Sequence, residues 1–338
     1  MAIENKKYRA ALWVILLVVA LFSVLPFAWV VAGSFKPHLE IQAGRLAPWE
    51  SYDVRPRQVE WGSLPQAQRD ELLRQKRVRL PVEPGQPAPG RDEQLDPARV
   101  KGAVTVVDLE HVTANNYRKV LTQLSGLPTY YFNTVYLSLS GTFLSLLIGS
   151  LAAYGFAHFK FPGNKTLFTL LLLTIMIPGE VMLIGEYELM FKLALYDRIA
   201  GLLIAYTAGH LLLVIFIMRN VFGAIPQDLI DAAMIDGAGS WQVFWDLMVP
   251  MGRNGLAACA ILGFLGIWNE FLFALTFTSS ESIRTLPVGI VLLKGQHGLF
   301  ESGVLFATVL LSFLPIVIVF VLLQKYFVRG LSAGALKA

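Results

Sequence analysis

DAAMIDGAGSWQVFWDLMVP runs from Asp231 to Pro250. It opens with helix formers, is interrupted at Asp236-Gly237, and resumes with aromatic residues. The piece before it, PQDLIDAAMID, starts at Pro226 and carries acids at 228 and 231. Proline and early acids favour a helix N-terminus. Leu229, Ala232, Ala233 and Ile235 supply a small, apolar contact surface. Gly237 allows a sharp backbone turn. Ala238 to Val249 forms a second helical piece with Val243, Phe244 and Leu247 on one face, and Pro250 closes it. The expected shape is a helix-turn-helix knob with flanking acids, suited to a groove on a partner. Long apolar runs on both sides place that knob at the end of membrane spans.

The composition agrees. Of 338 residues 55% are hydrophobic and only 15% charged, against about 25% charged in soluble domains. The mean hydropathy is +0.57. A net charge of +4 does not point to nucleic acid, and one cysteine, Cys259, excludes a disulfide within the chain. No Cys/His cluster suggests a metal, and no cofactor is implied.

Six stretches are suited to crossing about 30 Å of hydrocarbon. They are residues 11–33, 134–157, 166–184, 199–218, 255–277 and 302–323, with Pro178 in the third and Pro315 in the sixth. Lys6, Lys7 and Arg9 ahead of the first run also fit a signal peptide. That run exceeds 20 residues and has no small-x-small cleavage site, so it is taken as a span. Six crossings put Lys6, Lys7, Arg9, Lys160, Lys165, Arg219, Arg253, Lys325, Arg329 and Lys337 on one side. By the positive-inside rule that side is the cytoplasm. The expected fold is an all-α polytopic membrane protein with both termini cytoplasmic. Its parts are 1–33, an enlarged external loop 34–130, a core 131–330 with a cytoplasmic loop 219–253, and a tail 331–338.

The external stretch holds 14 Lys/Arg, 12 Asp/Glu and 10 of the 17 prolines. PVEPGQPAPGRDEQLDP suits an extended linker. QAQRDELLRQKRVRL is expected to form a short helix, its basic run a solvated face, and KGAVTVVDLEHVT one strand. In the second span Gly141, Ser145, Gly149 and Ala153 recur every four residues, so they share a helix face that admits a close partner helix. Pro178 and Pro315 are expected to kink their spans. Polar groups are sparse: Glu180, Glu186 and Glu188 cluster near the end of span three, His210 lies inside span four, and Asn269 and Glu270 interrupt span five. Ionisable groups in spans mark either a structural bond or contact with a solute.

The knob resembles the EAA loop of ABC-importer permease subunits. Asp231, Ala232, Ala233, Gly237 and the Val249-Pro250 ending follow that pattern, and Asp236 with Ala238 fit its IDGA form. Asp231 stands where the family usually has Glu. SFKPHLEI, NTVYLSLSGTFLSLLIGSLAAYGFAHFKFPG and IWNEFLFALTF are similar to segments of the MalG-like permeases for sugars and related solutes. The likeness spans about residues 11–41 and 112–330 and leaves the centre of the external loop uncovered.

That resemblance implies a multi-pass subunit of the cell membrane, the inner one in a two-membrane cell. Its implied partners are two cytosolic ATP-binding subunits, a second homologous permease, an external solute-binding protein, membrane lipid and a sugar or polyol. Residues 228–244 would dock the ATPase: Asp228, Asp231, Ala232, Ala233, Asp236, Gly237, Ala238 and Phe244, with Pro250 closing the loop. Trp268, Asn269, Glu270 and His210 would line or brace the pathway. The chain has no G-x4-GK[ST] phosphate loop and is not expected to be an enzyme. Two other classes stay open here. An ion-coupled secondary transporter would need paired acids in its spans and an internal repeat, and neither is found. An anchoring subunit would show no solute-dependent ATP turnover.

Overall fold

The computed structural model describes residues 6–36, 41, 52–66, 69, 78–79, 103–111, 115–123, 126–296 and 302–335. The chain divides into two compact units. One takes residues 1–123 with 299–310, the other 124–298 with 311–338.

In the first unit, α1 (Lys6–Ser34) contains Pro26 without a break. Its apolar side chains from Leu12 to Phe27 are exposed, as a lipid-facing helix requires. A turn at Phe35-Lys36 ends it. Helix α2 (Asn115–Gln123) holds that turn. The Asn116 Nδ2 donates to the carbonyls of Ser34 (2.8 Å) and Lys36 (2.9 Å). Strands β1 (Tyr52–Glu60), β2 (Val78–Arg79) and β3 (Ala103–His111) form an antiparallel sheet in the order β1-β3-β2. Tyr52 pairs with His111, Glu60 with Ala103, and Val78 with Val106. Pro56 cannot donate to a ladder, and β1 is an edge strand, where proline is tolerated. The expected strand in KGAVTVVDLEHVT is therefore central to a sheet whose partners were not foreseen. The expected helix over 66–80 fails at Val78-Arg79, which extend to pair with β3. The proline-rich 81–97 lies outside the described residues.

The second unit is helical. Its centre is α3 (Leu127–His158), 32 residues long and about 48 Å. It starts seven residues before the expected span, with Pro128 in its first turn. After a turn at Gly163 (φ +83°) come α4 (Asn164–Ile175) and α5 (Gly179–Lys192). Pro178 caps α5, and the two helices meet at 100°. The third span is thus a broken pair rather than one kinked helix. With 12 residues, α4 is about 18 Å long and too short to cross alone. Helix α6 (Ile199–Gly223) packs along α3.

The knob follows α6: α7 (Gln227–Ile235), then a second arm at Ser240–Met251. Because α6 continues through Arg219 to Gly223, the loop spans 224–252 rather than 219–253. Arg219 lies in the helix, its guanidinium 4.0 Å from the Phe168 ring centre. The fifth stretch is also divided. Helix α8 (Arg253–Trp268) bends 77° from the knob's second arm and stops before Asn269. A short α9 (Leu272–Phe277) and an unforeseen α10 (Leu286–Gln296) follow. Helix α11 (Ser302–Ala335) passes through Pro315 unbroken and takes in most of the expected tail.

Four helical stretches are long and apolar enough to cross a membrane: Leu12–Ser34, Leu127–His158, Ile199–Gly223 and Ser302–Lys325. Counting each bent pair as one span gives up to six. The protein is a multi-pass, predominantly helical membrane protein, and a small sheet lies between α1 and α2.

Candidate functional site

The knob is built by its breakers. Pro226 caps α7, and Asp228 occupies the first turn. The Gln227 amide donates to Asp231 Oδ1 at 2.9 Å. Gly237 takes φ +90°. Its N–H donates to the Met234 carbonyl (3.1 Å), and the Ala238 N–H donates to that of Ala233 (3.0 Å). This pair is the Schellman ending, with glycine in the left-handed position.

The second arm departs from the expected helix. Val243–Met248 is π-helical. Pro250 has no N–H for the Asp246 carbonyl, and its ring would crowd that group in an α-turn. A widened turn just ahead of Pro250 relieves the crowding. Met248 joins Val243 and Phe244 on the buried face, while Leu247 is half-buried.

The inner face anchors the knob. Ile230, Val243, Phe244 and Met248 pack in one cluster with Ala153, Tyr154, Val214, Met218, Phe222 and Cys259. The Phe244 ring lies 5.7 Å from that of Tyr154 and 6.4 Å from that of Phe222. Phe244 is 1% exposed and holds the knob to the bundle instead of facing outward. The outward surface is Ile235 (86% exposed), Trp241 (62%), Met234, Leu229 and Trp245. Asp228, Asp231 and Asp236 are exposed around it, Ala232 and Pro250 are exposed too, and Ala233 and Ala238 are half-buried. An exposed apolar patch rimmed by acids is the form of a protein-docking surface. Ile235 and Leu229 are on the contact surface expected from the sequence, whereas Trp241 and Trp245 were not foreseen. Large apolar residues on a loop between spans were the available signal.

The small-residue stripe of α3 faces α6. A Cβ on Gly149 would lie 2.7 Å from Val214 Cγ1, and one on Gly141 2.8 Å from Ile267 Cδ1 of α8. The Ser145 hydroxyl donates to the Gly141 carbonyl (2.7 Å) and to that of Thr207 (3.1 Å). Ala153 belongs to the anchoring cluster of the knob.

Four pathway candidates meet where α8 ends. Trp268 is buried, stacked on Phe264 (5.4 Å) and edge-on to Tyr131 (5.8 Å). Asn269 is exposed and donates to the Leu265 carbonyl. Glu270 caps α9: Oε1 accepts the Phe273 N–H (2.7 Å) and Oε2 the Ala274 N–H (3.0 Å). Its Oε2 also accepts the Tyr206 hydroxyl of α6 at 2.6 Å. One turn along α6, His210 Nδ1 lies 3.1 Å from the Tyr206 carbonyl, and its ring packs on Gly266. Trp268 and Glu270 are thus committed to packing and capping. Among the described residues no His/Cys/Asp/Glu group could hold a metal.

At the end of α6 away from the knob, a second polar cluster joins two turns. Asp197 (φ +56°) donates its N–H to the Phe277 carbonyl at 2.9 Å. Its carboxylate accepts the Ser280 hydroxyl, the Ser280 N–H (2.8 Å) and the Ser279 N–H (2.7 Å). The Ser280 bonds, hydroxyl first, hold its pKa down at about 2. A lowered carboxyl pKa adds stability above the ordinary value near 3.8, and this is lost as pH falls through about 2. Amide exchange at Ser279 and Ser280, corrected for intrinsic rate, is expected to stay slow from pH 7 to pH 4. Asp197→Asn is expected to speed it about tenfold at neutral pH, the scale of a hydrogen bond to a charged group. Unchanged exchange in that variant would remove Asp197 from the clasp.

A multi-pass bundle with an exposed apolar patch on the segment between two of its helices has the form of a membrane component of a larger assembly. The chain belongs to the family described as binding-protein-dependent transport system inner membrane components, whose model matches residues 145–333. It is 32% identical over 236 residues to an arabinooligosaccharides transport system permease protein of Halalkalibacterium halodurans, covering 70% of this chain and 84% of the relative. It is 36% identical over 227 residues to a trehalose/maltose transport system permease protein of Thermococcus litoralis, covering 67% and 81%. In fold it is similar to a chain from the crystal structure of a bacterial ABC transporter involved in alginate import. That match has a TM-score of 0.69 at 20% identity and covers 97% of this chain and 99% of the other. Relatives of differing specificity match at comparable identity, so membership, not kinship to one of them, is what these likenesses give. The chain is a non-catalytic permease subunit of an ABC importer and forms part of a transmembrane transport pathway.

Proposed function

We propose that the protein carries an oligosaccharide and is driven by a cytosolic ATPase that grips the knob at 224–252. The carrying observation is the knob's outer face: Ile235, Trp241, Met234 and Leu229 exposed within a rim of Asp228, Asp231 and Asp236. Burying that apolar patch in a cleft of an ATP-binding subunit supplies the binding energy, and the buried cluster under Phe244 passes the motion to α3, α6 and α8. In this reading the knob and both termini are cytoplasmic. A second homologous permease completes the pathway, and an external solute-binding protein delivers the substrate. The substrate class is supported by relatives named for arabinooligosaccharides, trehalose/maltose and diacetylchitobiose.

The test is reconstitution with the neighbouring permease, ATPase and binding protein, followed by ATP turnover across neutral and acidic oligosaccharides and polyols. Stimulation of severalfold by one oligosaccharide is expected. An assembled complex that no member of the panel stimulates would favour a subunit that only anchors its partners.

A further inference from the structure

Glu270 sits where the fifth apolar stretch breaks, between α8 and α9. A carboxyl group in such a stretch is costly unless its oxygens are engaged. Here both oxygens are, by three donors and with none offered in return. Two of the donors are the amides of Phe273 and Ala274, which have no partner four residues back inside so short a helix. That much is a cap, and a cap needs nothing from α6. The third donor, the Tyr206 hydroxyl, comes from another helix 64 residues away.

A second contact stands one turn from the first. On α6, Tyr206 and His210 are four residues apart. On the opposite chain segment, Gly266 and Glu270 are four apart as well. A Cβ on Gly266 would run into the His210 ring. The absent side chain therefore lets α8 close on α6 beside the Tyr206–Glu270 bond. Helix α6 then continues unbroken to Gly223, where the knob begins. From Tyr206 to that end it is about 25 Å of rigid helix.

We infer that Glu270 is a positioning residue of the transport cycle. It sets the α8–α9 joint, and through Tyr206 it makes the angle of that joint follow α6 when the ATPase closes on the knob. This rests on the proposed coupling through the knob. The division of labour is testable because the bonds are separable. Tyr206→Phe removes the tie to α6 and leaves both amide bonds of the cap. Glu270→Gln keeps one acceptor for the cap and presents an amide to the Tyr206 oxygen, so the tie survives in reversed sense.

The experiment places spin labels at Leu262→Cys on α8 and Leu275→Cys on α9, both partly exposed at 41% and 40%. Distances are measured in the assembled complex, without nucleotide and with ATP plus EDTA, which holds nucleotide without hydrolysis. A second label pair across the ATPase dimer reports its closure. In the parent chain the α8–α9 distance is expected to shift by several ångströms as the ATPase closes. In Tyr206→Phe the ATPase still closes, but the shift falls at least threefold. In Glu270→Gln at least half of it is retained. A parent joint that stays fixed while the ATPase closes would overturn the inference and leave Glu270 a plain cap. So would a full shift in Tyr206→Phe. If Tyr206→Phe does not assemble, Tyr206→Leu takes its place, with the same loss expected, since it too removes the hydroxyl and leaves both amide bonds of the cap. An ATPase that closes without engaging the knob, judged by an unchanged environment at a label on Ile235→Cys, would instead defeat the coupling reading itself.

Discussion

Gly237→Pro is expected to abolish solute-stimulated ATP turnover in the assembled complex. Gly237 holds φ +90°, and proline is locked near −65°. The substitution also removes the N–H that donates to Met234 and displaces the neighbouring Ala238 to Ala233 bond. Proline in a position that excludes it costs about 3 kcal/mol or more, roughly a hundredfold in the population of the native turn. No atom lies within 4 Å of a Cβ added at Gly237. The penalty is therefore backbone strain, not a clash, and it should be graded. Asparagine tolerates the left-handed region, alanine loses about 1 kcal/mol there, and proline is worst. Stimulated turnover is expected to fall in the order Asn, Ala, Pro while assembly persists, since Phe244 and Met248 still anchor the second arm. Equal turnover across the three would take the turn out of coupling.

Gly149→Leu is expected to have the largest effect on stability. Even a Cβ at this position would lie 2.7 Å from Val214 Cγ1 and 3.4 Å from the Leu211 carbonyl. Val214 is 3% exposed and is part of the cluster under the knob. The helices α3 and α6 must separate to admit leucine. Overpacking costs about 1–3 kcal/mol, and each kcal/mol is about 2–4 °C for a domain of this size. A drop in Tm of roughly 5–10 °C is expected, with lower yield. Gly155 on the same helix has no atom within 4 Å of an added Cβ. Gly155→Leu is the control and is expected to leave Tm almost unchanged. Similar losses in both would mean that helix packing at Gly149 is not the cause.

How far these features were legible depends on whether a local rule governed them. Gly237 was readable because a helix followed by glycine is a stop signal in any context. Pro178 was readable as a disruption but not as a 100° bend, whose size depends on what α4 and α5 pack against. The start of α3 was placed too late because Tyr130, Tyr131 and Asn133 are not hydrocarbon residues, yet they are good helix members. Asn133 is used there, donating to the Ser282 and Arg284 carbonyls. Strand β1 was missed since YDVRPRQVE has no run of apolar alternation and contains a proline. Its pairing is set by β3, 50 residues away in the chain.

At the site, the distinction between inner and outer faces of the knob was the main loss. A period of 3.6 put Leu247 with Val243 and Phe244. Met248, four residues after Phe244 and so on the same face, is the more deeply buried there, with Leu247 packed at the edge of the cluster. The clash of Pro250 with Asp246 was a readable hint of the π-turn ahead of Pro250. Glu270 was visible as an oddity in an apolar run, but its engagement by Tyr206 required the tertiary structure.

Cys259 is the only thiol in the chain, and it is 1% exposed in the cluster under the knob. The consequence is practical. Maleimide and methanethiosulfonate reagents reach a sulfur only from the solvent, so the native chain is silent to them while folded. Cysteines introduced at Trp241, Ile235 or Leu275 can be labelled without first deleting Cys259, whose loss would open a void in that buried cluster. Conversely, a native chain that begins to take up label reports that this cluster has come apart. The wild-type sulfur is thereby a built-in indicator of whether the knob is still seated on the bundle.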